Sequence, residues 1–212
     1  MSHAFVRNLT FQSNDLGKDV SLMLTFDKNM EGSLYRDVFP VVWKVSSFRK
    51  TGPYKAHATY TSQLAFSKPQ LVDGNIVGAE TCVKINDGEK TSLTESNNVF
   101  HFSPPQAVTS GVVQAVNNTG DTQDIAVGFM NKGDLIPTPA LFFSGVKDGR
   151  DVMAEFIPVL RAYITSDYPE TAVLPEPVDT PAIWSQNLAA LKESTTWTLK
   201  RDASGHYSIV QA

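Results

Sequence analysis

Apolar and polar side chains alternate along most of this chain with a period of two, the spacing that puts successive residues on opposite faces of a β-strand. The longest example spans 140–165, ALFFSGVKDGRDVMAEFIPVLRAYIT. Its second arm places Val152, Ala154, Phe156, Pro158, Leu160, Ala162 and Ile164 on an apolar face. Met153, Glu155, Ile157, Val159, Arg161, Tyr163 and Thr165 fall on a mixed one. Asp148-Gly149 tolerates the positive φ of a tight turn, so the segment predicts two strands folded back on each other as a hairpin. One face packed and one partly wet is what a strand in a two-layer β protein shows. Pro158 cannot donate a ladder hydrogen bond and predicts an edge or a bulge.

The alternation recurs on both sides of this stretch. Residues 5–11 and 20–26 predict a strand pair joined by a turn at 14–17, followed by a loop of mixed polarity at 27–33. The run 37–46 is almost continuously apolar, which suggests burial on both sides, although Pro40 argues against a central ladder position. Strands are also predicted over 54–66, over 76–85 between the Asp73-Gly74 and Asp87-Gly88 turns, and over 97–103. Residues 112–116 and 124–130 predict a hairpin across 117–121, and 195–200 pair with 206–211 in a last one. Arg36-Asp37-Val38 resembles Arg150-Asp151-Val152, but no regular period emerges and coincidence is the default. The pattern predicts an all-β protein, an antiparallel β-sandwich or flattened barrel of about ten to twelve strands, in one domain over 1–212.

After Thr165 the alternation stops. Residues 166–181 hold Pro169, Pro175, Pro177 and Pro181 among four carboxylates, which predicts an ordered arm, either a strap across a sheet or a lid. Thr180 as a cap, Pro181 at the first helical position and an apolar stripe of Ile183, Trp184, Leu188 and Leu191 predict one short C-terminal helix near 181–193.

Charge narrows the partners. Charged residues make up 19% and the net charge is −4, so no long-range field recruits phosphate backbones, and nucleic acid is excluded as an expected partner. A single cysteine, Cys82, excludes an intramolecular disulfide and permits a reducing compartment. The N-terminal MSHAFVRNLTFQ has no basic stretch followed by an apolar run, and no segment approaches about eighteen apolar residues. The expectation is a soluble, cytoplasmic, unprocessed chain without a transmembrane segment.

Catalytic and metal motifs are missing locally. His3, His57, His101 and His206 each lack a second ligand at metal-binding spacing, so neither a metal nor a cofactor is expected. His57 and His101 lie on polar strand faces and read as solvent-facing histidines, with a long-range pair to Glu80 or Cys82 as the alternative. There is no Gly-x-Ser-x-Gly elbow and no phosphate-binding glycine loop, and Cys82 sits within a strand where a thiol is inert. Turn geometry accounts for most carboxylates, with a calcium site in the acidic arm as the alternative. Among the aromatics, Trp43 and Trp197 suit a core, whereas Tyr163, Tyr168 and Trp184 flank the arm and are the candidate ligand-binding residues.

These features predict a non-enzymatic, lectin-like binding protein for a neutral carbohydrate-like or small amphiphilic ligand. The alternative is a small-molecule enzyme, an isomerase, hydrolase or cyclase, with a pocket between or at the end of the sheets and His57, His101, Arg161 and Tyr163 as its catalytic residues. The edge strands implied by the prolines are compatible with a homo-oligomer.

Overall fold

Strands form where the period-two pattern is strongest, and in β1 the outward Asn8, Thr10 and Gln12 separate the inward Leu9, Phe11 and Ser13. The structure is a computed structural model that describes residues 4–27, 36–108 and 111–212. His3, Tyr35 and all of the expected 27–33 loop but Asp27 lie outside those residues. The described chain is 60% strand and 2% helix, which establishes the all-β class. In order the strands are β1 (Val6–Asn14), β2 (Val20–Thr25), β3 (Val38–Pro40), β4 (Val42–Phe48), β5 (Pro53–Thr61), β6 (Leu64–Val72), β7 (Asn75–Ile85), β8 (Glu89–Ser96) and β9 (Val99–Phe102). They continue with β10 (Gln106–Ala107), β11 (Val113–Asn117), β12 (Gln123–Phe129), β13 (Thr138–Val146), β14 (Asp151–Ala154), β15 (Val159–Ile164), β16 (Trp184–Asn187), β17 (Ser194–Arg201) and β18 (Tyr207–Gln211).

Four sheets result, and none closes into a barrel. The sheets β18-β17-β1-β5 and β16-β15-β2-β4 share a core of Phe11, Leu22, Leu24, Leu160, Trp197 and Leu199. The sheets β3-β13-β12-β6-β7 and β10-β8-β11-β14, with β9 beside β8, share a second core of Phe66, Leu93, Ala115, Ile125, Leu141 and Phe143. The molecule is therefore two β-sandwiches side by side, with more strands than the ten to twelve expected. Pairing is antiparallel except for β1 with β17 and β8 with β11.

Several expected hairpins are corners between sheets instead. β13 lies between β3 and β12, while β14 pairs with β11 in the facing sheet. Gly149 has the positive φ that the turn requires, 73°. The turn is nevertheless held by the buried Asn117, whose carbonyl accepts from Gly149 N and whose Nδ2 donates to Val146 O. Both arms carry an apolar face, and placing them on opposite walls buries both against one core. The pairs β1/β2 and β11/β12 turn the same corner, whereas Asp73-Gly74 (φ 50° and 76°) and Asn97-Asn98 (φ 53° and 60°) do close hairpins. Pro40 sits in β3 at a sheet edge, where a missing donor costs least.

Besides the 37–46 run, which crosses at Val41 between β3 and β4, the chain crosses between sandwiches within two further runs that read as single strands. The 54–66 run breaks at Ser62-Gln63 between β5 and β6, and the second arm of 140–165 breaks at 155–158 between β14 and β15. Phe156, at the second break, packs against both cores. It joins an aromatic cluster at the junction, in which Phe129 lies 4.9 Å from Phe26, 4.9 Å from Tyr60 and 5.0 Å from Phe156.

The helix expected near 181–193 is replaced by β16, which pairs with β15, and a single 3₁₀ turn at Leu188–Ala190. Trp184 stands opposite Ala162, with its indole edge-on to Phe11 at 5.6 Å and Trp197 at 5.0 Å. Burying that ring in the core outweighs the helical propensity of the stretch. The proline-rich arm lies across the outer faces of both sandwiches. Leu174, Tyr168 and Val178 pack on Met23, Val42 and Tyr163, and Val173 packs with Val41, Ile76 and Phe142. Its backbone bonds Val42, Pro40, Ile76 and Gly74, so it is a strap tying one sheet of each sandwich together.

Candidate functional site

The crossings at 62–63 and 155–158 leave backbone out of the ladders, and a cavity of about 420 Å³ opens beside them. Phe5, Tyr60, Leu64 and Phe156 give it an apolar wall. The Ser62 crossing is pinned to the N-terminal segment, since Ser62 N donates to Phe5 O and Phe5 N to Ser62 Oγ, each at 2.9 Å. Polar groups face this wall. Gln63 spends its Nε2 on the carbonyls of Leu64 (3.0 Å) and Ile85 (3.1 Å), which leaves its side-chain oxygen as an acceptor. Asn86 is likewise anchored through Nδ2 to Glu89, and Asp87 Oδ2 accepts from Gly111 N at 3.1 Å. Glu155 is exposed at the rim.

No Lys, Arg or His lines the cavity among the described residues. Arg7 stands behind the wall, 4.4 Å above the Phe5 ring, and donates to the carbonyls of Leu188 and Ala189. Burial pushes the Tyr60 hydroxyl well above the ordinary tyrosine range, against the smaller opposing effect of Arg7, so it stays neutral. The cavity thus combines aromatic faces, neutral hydrogen-bonding groups and two carboxylates. That set can hold a ligand with one apolar face and one hydroxylated or amide-bearing face.

A second polar cluster lies under the strap. The Tyr163 hydroxyl donates to Asp27 Oδ2, and Arg161 Nη1 stands 3.8 Å from Asp27 Oδ1. Arg161 is opposite Thr25 in the β15/β2 register. Asp27 Oδ1, Thr25 Oγ1 and Arg161 Nε are buried without a hydrogen bond among the described residues. Tyr163 is raised well above the ordinary tyrosine range, first by burial, then by its hydrogen bond to Asp27 and the charge there, with Arg161 opposing.

Of the four residues named for an enzyme, the fold joins Arg161 and Tyr163 and separates the other two. His57 is exposed on β5 beside Thr10 Oγ1 (3.1 Å), and His101 is exposed on β9 in a different sheet. Glu80 pairs with Lys68 at 3.7 Å, and the Cys82 thiol, raised by burial, donates to Leu135 O at 3.5 Å. Tyr168 is a half-buried residue of the strap itself, and Trp184 is enclosed in the first core. The sequence reading missed Asp27, whose one signal is a carboxylate directly after the apolar run of β2. It also missed the cavity, whose lining comes from segments distant in the chain. No group of three metal-binding side chains occurs among the described residues, and no helix there is long and apolar enough to cross a membrane. No protein-family model, curated protein or solved structure matches this chain.

Proposed function

We propose that the protein is a non-enzymatic binder of a small neutral ligand, carbohydrate-like or amphiphilic, held at the junction of the two sandwiches. The observation that carries this reading is the 420 Å³ cavity with Phe5, Tyr60 and Phe156 on one side and Gln63, Asn86 and Asp87 on the other. Its volume falls within the range of about 300–1,000 Å³ common for small-molecule sites. The aromatic wall suits the C–H face of a sugar or a short alkyl chain, and the amides suit hydroxyls. Ligand-observed NMR and thermal shifts with a panel of monosaccharides and with octyl glucoside below its micelle concentration test the reading. Octyl glucoside at about ten times its Kd should stabilise the fold by about 1.4 kcal/mol. Ala189→Trp, at the exposed rim, should abolish that gain. Blanks across the panel would end the proposal.

The enzyme alternative draws on the convergence of Arg161 and Tyr163 on Asp27. With its hydroxyl held neutral, Tyr163 would have to exchange its hydrogen bond to Asp27 for one to a substrate oxygen. Turnover of an ester or carbonyl substrate that Tyr163→Phe abolishes, in a variant that still folds, would favour this alternative over binding.

A further inference from the structure

Among the described residues, every polar side chain lining the junction cavity can accept a hydrogen bond, and the amide nitrogens are already bonded elsewhere. Gln63 is fixed in one orientation, since Nε2 donates to the carbonyls of Leu64 and Ile85 and only Oε1 remains for a ligand. Asn86 turns Nδ2 to Glu89 at 3.0 Å, which leaves Oδ1 on the opposite side of the amide. Asp87 and Glu155 bring carboxylates to the mouth, and a carboxylate accepts more than the one bond that Gly111 N gives Asp87. Ser62 and Tyr60 carry hydroxyls, which accept as well as donate.

Charge points the same way. Glu89, bonded to Asn86, adds a further carboxylate beside those of Asp87 and Glu155. Among the described residues, the cation placed against the lining is Arg7, whose Nε, Nη1 and Nη2 donate to the carbonyls of Leu188, Val6 and Ala189 behind the Phe5 ring. Phe5, Leu64, Phe156 and Pro158 are half-buried and keep apolar surface for the rest of a ligand, whereas Asn86, Asp87 and Glu155 are exposed.

On the reading of this cavity as a binding site, we propose that it selects for donors: its ligand is an amphiphile with a hydroxylated head, and heads that only accept hydrogen bonds, carboxylates above all, are refused. The alkyl part lies against Phe5, Leu64 and Phe156, and the head donates to Gln63 Oε1, Asn86 Oδ1 and the carboxylates of Asp87 and Glu155. An anionic head would set like charges side by side and leave the amide oxygens facing another acceptor.

Ligand-observed NMR titrations with 1-octanol, 1-methoxyoctane and octanoate test the assignment, because the three share a chain and differ in the head. The alcohol should bind at least about threefold more tightly than its ether, although the ether carries one more carbon, and at least about tenfold more tightly than octanoate. Glu155→Lys reverses a charge at the mouth. It should raise octanoate affinity at least about fivefold and leave that of 1-octanol within about twofold. Glu155 is exposed, so the melting temperature of this variant should match the parent chain. Equal binding of the alcohol and its ether, or octanoate affinity unmoved by Glu155→Lys, would overturn donor selection while the cavity stayed a binding site. No binding of any of the three probes would end this inference together with the reading it rests on.

Discussion

Tyr163 on β15 donates its hydroxyl to the carboxylate of Asp27, just past the end of the neighbouring β2, and the strap residues Leu174, Tyr168 and Val178 cover the tyrosine. The bond satisfies one carboxylate oxygen and, among the described residues, leaves the other with only Arg161 at 3.8 Å. An acid with a side chain only 4% exposed has that one hydrogen-bond donor among the described residues.

Tyr163→Phe therefore removes the hydrogen bond of a buried charge and should lower unfolding free energy by about 1–3 kcal/mol. Combining it with Asp27→Leu should recover part of the loss, because no buried carboxylate is then left unpaired. Urea unfolding of the parent chain, the single variant and the double variant measures both effects. A single variant as stable as the parent chain would show that Asp27 is otherwise satisfied.

Alkaline pH should destabilise the fold through Tyr60 and Tyr163. Both are raised above the ordinary tyrosine value, chiefly by burial, so between that value and their folded values the unfolded chain has lost protons that the folded chain retains. Their contribution is fully present below about pH 10 and falls above it, by up to about 1.4 kcal/mol per pH unit for each tyrosine. Tyrosinate absorbance should show two of the six tyrosines ionising only as the protein unfolds. Six tyrosines titrating together in the native state would contradict the burial of both.

Gly128 cannot carry a side chain. A Cβ there would lie 2.0 Å from Thr138 O and 2.8 Å from Pro139 Cα, backbone atoms of β13 brought close by the register shift after Val127. Gly128→Ala should cost more than about 3 kcal/mol or prevent folding. Gly120→Ala, with no atom within 4 Å but a φ of 91°, should cost only about 1–2 kcal/mol. Thermal melts of the two variants rank them, and the opposite ranking would sink the close-approach argument.

Leu174 tests whether the strap belongs to the core. It is fully buried although it lies outside the regular strands. Leu174→Ala should cost about 2–5 kcal/mol, as a core truncation does. A cost below about 0.5 kcal/mol, the level of a surface change, would mark the strap as a loosely held lid.

The inward faces of β14 and β15 were legible because period-two alternation is local and survives whatever the strand pairs with. Val152, Ala154, Leu160 and Ala162 all point inward as that pattern required, even though they serve two different cores. Partner choice was not legible. Asp73-Gly74 closes a hairpin and Asp148-Gly149 turns a corner, with similar local chemistry, because Asn117 and the facing wall capture the second turn. The 181–193 stretch has helical spacing, yet the pocket between Phe11 and Trp197 claims Trp184 for a strand. Arg161 and Tyr163 were visible as polar residues on one strand face, but Asp27 lies 136 positions away from Tyr163.

What the amino-acid order determined alone is the β class, the inward and outward faces of strands such as β14 and β15, and the break in character after Thr165. These depend on backbone preference and side-chain polarity within a few residues. Tertiary structure decided that one run of strands folds as two sandwiches, that a proline-rich arm straps them, and that Phe5, Tyr60 and Phe156 meet around a cavity. Those outcomes depend on which apolar faces bury one another most completely, a comparison over the whole chain that no local window contains.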